Sequence, residues 1–405
     1  MPRAPVLAVL LAALGLALAG CGGGDGPDAP QFSAEVDKDG ELSDFAALSV
    51  ATRATTRLGG PDPPTDAASV ASAVFPATSP TTRPTAVTLV DRADWQGAVA
   101  ASVLGARPLG APVLLGDGGE LPDVTETTLK RLAPRGSAAS GGAQVIVVGP
   151  RPPAPKGFKA KLLRGPDPYA TAATVDRFSS AVQGKPSANV VVASGERAAY
   201  AMPAAAWAAR SGDSVLFAKR DALPPPTVKA LRAHEKPRIF ILGPETVIGP
   251  RVEKALGLLG RVERIEGRTP VENAVEFARY DKRDFGWGIT RSGDNFTLAS
   301  VSRPADAGAA AALASNGVFA PLLLTDSAAR LPPALEGYLL DVQPGFYTER
   351  IAACNQRDTG GCVYNRVWIL GDAASVSPRV QGRLDEISAP APIQLRRLRR
   401  GRRGD

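Results

Sequence analysis

Apolar runs of four to six residues recur along the chain in a fixed order, and that order predicts the fold. A β-branched run at residues 86–90 returns at 189–193 and again at 296–301. Each is followed by an alanine-rich helical stretch, over 95–107, 198–210 and 305–316. A second apolar run, at 112–115, 214–217 and 321–324, leads in each case to a Leu-Pro pair, Leu121-Pro122, Leu223-Pro224 and Leu331-Pro332. Helical periodicity resumes after each pair, over 124–132, 228–233 and 334–340, which suits proline opening a first helical turn. A third run ends on glycine, at 145–149, 239–243 and 367–371. Short runs that are apolar at every position belong to strands covered on both faces, so the sheets are expected to be parallel with right-handed helical crossovers. The predicted fold class is α/β: three tandem α/β modules, roughly a hundred residues apart, with short parallel sheets flanked by helices. A turn introduces each module, Gly60-Pro61-Asp62-Pro63, Gly165-Pro166-Asp167-Pro168 and, more loosely, Gly267-Arg268-Thr269-Pro270.

The N-terminus has a different pattern. Arg3 is followed by an apolar run over 6–18 and by Leu18-Ala19-Gly20-Cys21. The run is short for a membrane span. It resembles a bacterial lipoprotein signal peptide, residues 1–20, cut before Cys21, whose thiol then carries a diacylglyceryl anchor. The expected location is extracytoplasmic, held to the membrane by the lipid on Cys21, with palmitate among its acyl chains. Residues 21–52, rich in glycine, proline and acids, read as a flexible tether. In an oxidising compartment Cys354 and Cys362, separated by a polar loop, are expected to form a disulfide. With one histidine, His234, and no Cys-x-x-Cys pair, no zinc ligand set is expected, and no cofactor.

The formal charge of +7 is concentrated at the two ends. Arg3 leaves with the signal peptide, and the tail 394–405 holds Arg396, Arg397, Arg399, Arg400, Arg402 and Arg403 against Asp405 alone. The body between is nearly neutral, so nucleic acid is not an expected partner.

The repeated order, an apolar strand, an alanine-rich helix, Pro-Val-Leu-Leu, Leu-Pro and a strand ending in glycine, resembles the cell wall-binding repeat type 2 family, usually found as three tandem modules. The resemblance divides the chain into repeats at 53–162, 163–265 and 266–393. It implies a pseudo-threefold arrangement and attachment to anionic wall polymer. The stretches matching the family's Ser-Gly-Asp-Asn-Phe-Pro-Asp-Ala-Leu segment are 91–98, 194–201 and 300–307, and only the third keeps the final aspartate, as Asp306. Tyr169-Ala170-Thr171-Ala172 preserves the family's Arg-Tyr-x-Thr-Ala start without its arginine.

Ligands of parallel α/β sheets bind at the loops after the strands. There Arg92, Arg197 and Arg303, read as matching positions, together with Asp306, are the expected polymer contacts, because guanidinium groups grip phosphates and carboxylates in pairs of hydrogen bonds. No Gly-x-Ser-x-Gly elbow, phosphate loop or Gly-x-Gly-x-x-Gly follows a strand, and His234 reads as a surface residue. The expected function is a noncatalytic wall-associated lipoprotein, not an enzyme. The alternatives are a solute-binding lipoprotein of a transport system, which needs two lobes around one cleft, and a wall-modifying enzyme.

Overall fold

The computed structural model describes residues 49–150, 155–345 and 366–389. It opens with β1 (Ser49–Ala51), β2 (Thr55–Leu58) and α1 (Pro63–Val74). Then come β3 (Val87–Asp91), α2 (Trp95–Ala101), β4 (Val113–Gly116), α3 (Asp123–Leu132), β5 (Val145–Val148) and β6 (Ala160–Leu163). The middle of the chain forms α4 (Pro168–Gln183), β7 (Asn189–Ser194), α5 (Ala198–Ser211), β8 (Ser214–Ala218), α6 (Pro225–Ala233), β9 (Arg238–Leu242), α7 (Pro250–Gly257) and β10 (Arg261–Ile265). It continues as α8 (Pro270–Arg279), β11 (Phe296–Ser300), α9 (Asp306–Asn316), β12 (Leu322–Thr325), α10 (Pro333–Val342), β13 (Val367–Leu370) and α11 (Pro378–Ser388).

Three sheets result, with orders β4-β3-β5-β6, β8-β7-β9-β10 and β12-β11-β13-β2-β1. All pairings are parallel except β1 with β2. The three strands predicted for each module are present; the first two sheets have gained a fourth strand, and the third has gained a fourth and, at its edge, β1 as a fifth. In the first two sheets the fourth strand is an edge, β6 mostly exposed and β10 mostly half-buried, without an apolar run of four or more residues, so hydrophobic patterning gives it no signal. In the third it is β2, more than three hundred residues away in the chain, with Thr55 opposite Val367 and Leu58 opposite Leu370. The N-terminal strand thereby closes the last sheet.

The proline turns are helix starts. Asp62, Asp167 and Thr269 cap α1, α4 and α8 by accepting from the backbone N–H of Thr65, Ala170 and Glu272, and a proline follows each at the first helical position. The strand-closing glycines Gly149, Gly243 and Gly371 have φ of +91°, +123° and +89°, the left-handed region that a side chain would disfavour.

Helices α2, α5 and α9 pack against one another. Around them α1 lies on α9 and β4, α4 on α2 and β8, and α8 on α5 and β12. One contact pattern thus repeats cyclically over three sheets, a pseudo-threefold arrangement. The small residues of the alanine-rich helices serve helix-to-helix approach at this centre: a Cβ on Gly308 would stand 2.9 Å from the Ala98 Cβ and 3.1 Å from its carbonyl oxygen.

Arg57 of β2 is buried, and its guanidinium donates to the carbonyls of Gly371 (2.8 Å), Asp372 (2.8 Å) and Val376 (2.6 Å) and to Gln381 Oε1 (3.1 Å). Arg57→Ala should therefore cost about 2–4 kcal/mol, because it leaves buried carbonyls without donors. Chemical denaturation checks this, and hydrogen exchange should localise the loss to β2 and β13.

Candidate functional site

Backbone register defines equivalent positions at the strand ends. The N–H of Arg92 donates to Gly116 O (2.9 Å), that of Gly195 to Ala218 O (2.8 Å) and that of Val301 to Thr325 O (3.0 Å). Asp94, Arg197 and Arg303 are therefore equivalent, and Arg92 stands two positions earlier. The expected match of Arg92 with Arg197 and Arg303 is corrected on this ground, since residue type alone does not reveal a two-residue offset in a loop.

Opposite each loop lies the start of a helix from the adjoining module. There the N–H of Gly165 donates to Thr171 Oγ1 (3.0 Å), that of Gly267 to Asn273 Oδ1 (3.1 Å) and that of Gly60 to Asp66 Oδ1 (2.7 Å). Three related sites between modules follow, and their side chains have diverged.

The first is a cleft of about 360 Å³ whose lining includes Asp91, Asp94, Gln96, Asp167 and Thr171. Asp94 Oδ1 accepts from the Gly97 N–H (2.8 Å), and burial pushes its carboxyl up. Arg92 does not line this cleft, and forms a half-exposed ion pair with Asp117 (2.9 Å). At the second site Arg197 is exposed and precedes α5, with no ion pair among the described residues. Beside it the Tyr200 hydroxyl donates to the Arg268 carbonyl (2.6 Å), and burial pushes the phenol up.

The third site is self-neutralised. Arg303, with 12% of its side chain exposed, reaches Asp66 Oδ2 through Nη2 (2.5 Å) and Asp306 Oδ2 through Nε (3.0 Å). Its Nη1 donates to Gly60 O (3.2 Å) and Ser375 Oγ (3.0 Å). Asp66 and Asp306 are fully buried. Burial, and for Asp66 also the neighbouring Asp306, pushes both carboxyls up against the opposing pull of Arg303. The placement of Arg303 and Asp306 on a polymer-facing surface is corrected: their charges are spent on one another inside the protein. Asp66 was outside the expected set. Its position, six residues after Gly60 as Thr171 is after Gly165, was the available signal.

His234 is likewise corrected from surface to interior. It is 7% exposed, with Nε2 2.8 Å from Asp176 Oδ1 and Nδ1 2.8 Å from the Ser187 carbonyl. Trp207 and Trp368 are buried, while Trp95 and Trp287 are half-buried against the core. Cys21, Cys354, Cys362 and the basic tail lie outside the described residues. Among the described residues no group of three His, Cys, Asp or Glu side chains could hold a metal ion, and no helix is long and apolar enough to cross a membrane.

Three α/β modules that lend strands and helix ends to one another define a closed repeat protein, open as a cleft at the first junction and filled by an internal ion cluster at the third. The chain belongs to the cell wall binding domain 2 family, whose model matches residues 163–253 and 264–381. It is accordingly a cell wall-associated, extracytoplasmic protein. Among solved structures it is similar to Cwp8 from Clostridium difficile, at 19% identity and a TM-score of 0.62, over 84% of this chain and 52% of that one. It is also similar to Cwp6 from Clostridium difficile, at 14% identity and a TM-score of 0.64, over 88% and 50% of the two chains. The chain spans about half the length of each, and at these identities the likeness is one of fold. No curated protein matches its sequence.

Proposed function

We propose that the protein is a noncatalytic surface lipoprotein that attaches to an anionic polymer of the cell wall. The observation that carries this reading is the family match across 163–253 and 264–381, within a fold that repeats the same strand order three times. Arg92 and Arg197 are exposed strand-end cations available to such a polymer, each contributing weakly and gaining from linkage within one chain. Cys21 carries the lipid, and Cys354 and Cys362 are bridged.

Purified full-length protein should be retained on cell walls, less so at high salt and less after anionic polymer has been stripped. Retention indifferent to both treatments would sink the polymer reading. In the same cells Cys21→Ala should shift the protein out of the membrane fraction, and an unchanged distribution would remove the anchor from the proposal.

A further inference from the structure

Helices α4 and α6 lie side by side and enclose a groove of about 550 Å³, floored largely by alanine and proline, with Arg177 and Lys229 on opposite walls. Both cations are exposed, and neither forms an ion pair among the described residues. Arg177 adjoins Phe178, whose ring carries the Lys161 ammonium of the β6 edge at 5.3 Å from its centroid. A line of positive charge therefore runs from Lys161 across α4 to Lys229. The one acid on these two helices, Asp176, is 4% exposed and is held by His234. The exposed acids nearest in sequence lie outside the helices: Asp167 caps the N-terminus of α4, and Glu235 lies beyond the end of α6.

The two related helix pairs are different. On α3, beside α1, Lys130 is neutralised by Glu126 at 2.7 Å. In the α8–α10 pair, Arg279 is neutralised by Asp341 at 2.7 Å. The α4–α6 pair has the same backbone role and no exposed acid within either helix, so its positive character does not follow from the fold. A groove with an apolar floor and cationic walls fits a chain of alternating charge and uncharged spacer.

We propose that this groove, with the adjoining β6 edge, is a second contact surface for a polyanionic wall polymer, separate from the strand-end loops and resting on the polymer-binding reading above. Its cations would meet phosphate or carboxylate groups, and its alanine and proline floor the glycerol or sugar units between them. An anionic lipid surface is the competing partner, and the test separates the two.

The probe is fluorescently labelled linear polyphosphate, with hyaluronate as the carboxylate counterpart and vesicles containing phosphatidylglycerol as the lipid arm. Affinity of the full-length protein is measured by anisotropy between 50 and 300 mM salt, on the order used to resolve counterion release. The combined variant Lys161→Glu, Arg177→Glu and Lys229→Glu should bind polyphosphate at least about tenfold more weakly, with a log–log salt slope shallower by about two. Arg92→Glu with Arg197→Glu should leave that residual groove-dependent slope in place. A milder variant, with Gln at the same three groove positions and an unchanged melting temperature, should weaken binding in the same direction. Unchanged polyphosphate and hyaluronate affinity in a folded groove variant overturns the groove while leaving the wall-polymer reading standing. Binding to vesicles but to neither polymer overturns it in favour of lipid. Failure of the unaltered protein to bind either polymer or walls removes both proposals together.

Discussion

Replacing Arg303 with leucine is expected to lower stability by about 3–5 kcal/mol at pH 7, because it strands two buried carboxyls that share one counter-charge. Asp66 and Asp306 are fully buried on α1 and α9, two helices that pack together across the closure of the ring. The loss should depend on pH in a stated direction. A carboxyl whose folded pKa stands above its unfolded value contributes most favourably below the unfolded value, near pH 4. That contribution is lost as pH rises through the folded value. Removing Arg303 raises both carboxyls further, so the variant should be less impaired at pH 4 than at pH 8. Urea unfolding at the two pH values checks this, and an equal loss at both would show that the cluster is not held by charge. Asp66→Asn supplies the complementary case: Asn273 already accepts the equivalent Gly267 N–H, so the variant should keep the turn while reducing the pH dependence.

His234 is expected to remain an imidazolium above the pH at which a free histidine loses its proton. Both ring nitrogens face acceptors, the Ser187 carbonyl and the Asp176 carboxylate, so a neutral ring would leave one of them facing a lone pair. Burial alone opposes the charge, but the bond and charge of Asp176, aided by Ser187 and by Asp213, outweigh it and raise the pKa. Asp213 is itself tied to this corner, accepting from Ser187 Oγ (2.5 Å) and Trp207 Nε1 (2.9 Å). Because the folded value is raised, the stabilisation is complete below the unfolded value near 6.5 and is lost as pH climbs through the folded one. His234→Ala should cost about 3 kcal/mol at pH 6, with a smaller loss above the folded pKa. The chain has a single histidine, so one imidazole resonance followed by nitrogen NMR reads the titration without assignment. A midpoint at or below 6.5 would refute the charged-ring assignment.

The repeated apolar runs, the Leu-Pro helix starts and the strand-ending glycines were legible in the sequence because each depends on local chemistry. Four or five buried residues make a strand covered on both faces, a proline suits one end of a helix, and a left-handed turn favours glycine. The Asp-Pro turns also belong to this class, since a cap and the proline after it act within one helical turn. What escaped the pattern was decided over long distances. β6 and β10 are short edges that become strands by hydrogen bonding to a finished neighbour, and β2 joins a sheet whose parallel members lie hundreds of residues later.

The same division applies to the site. Arg92, Arg197 and Arg303 look alike as letters after a strand, yet one is half-exposed beside Asp117, one is open and one is enclosed by Asp66 and Asp306. His234 ends a short helix in a polar stretch, and nothing local announces that Asp176, fifty-eight residues earlier, will enclose it. The sequence by itself determined the three modules, their internal order and the family, because these follow from short-range burial and turn chemistry repeated along the chain. Only the tertiary structure decided the closure of the ring and which charges remain available, because a side chain's charge is spent or free according to partners that folding brings from other modules.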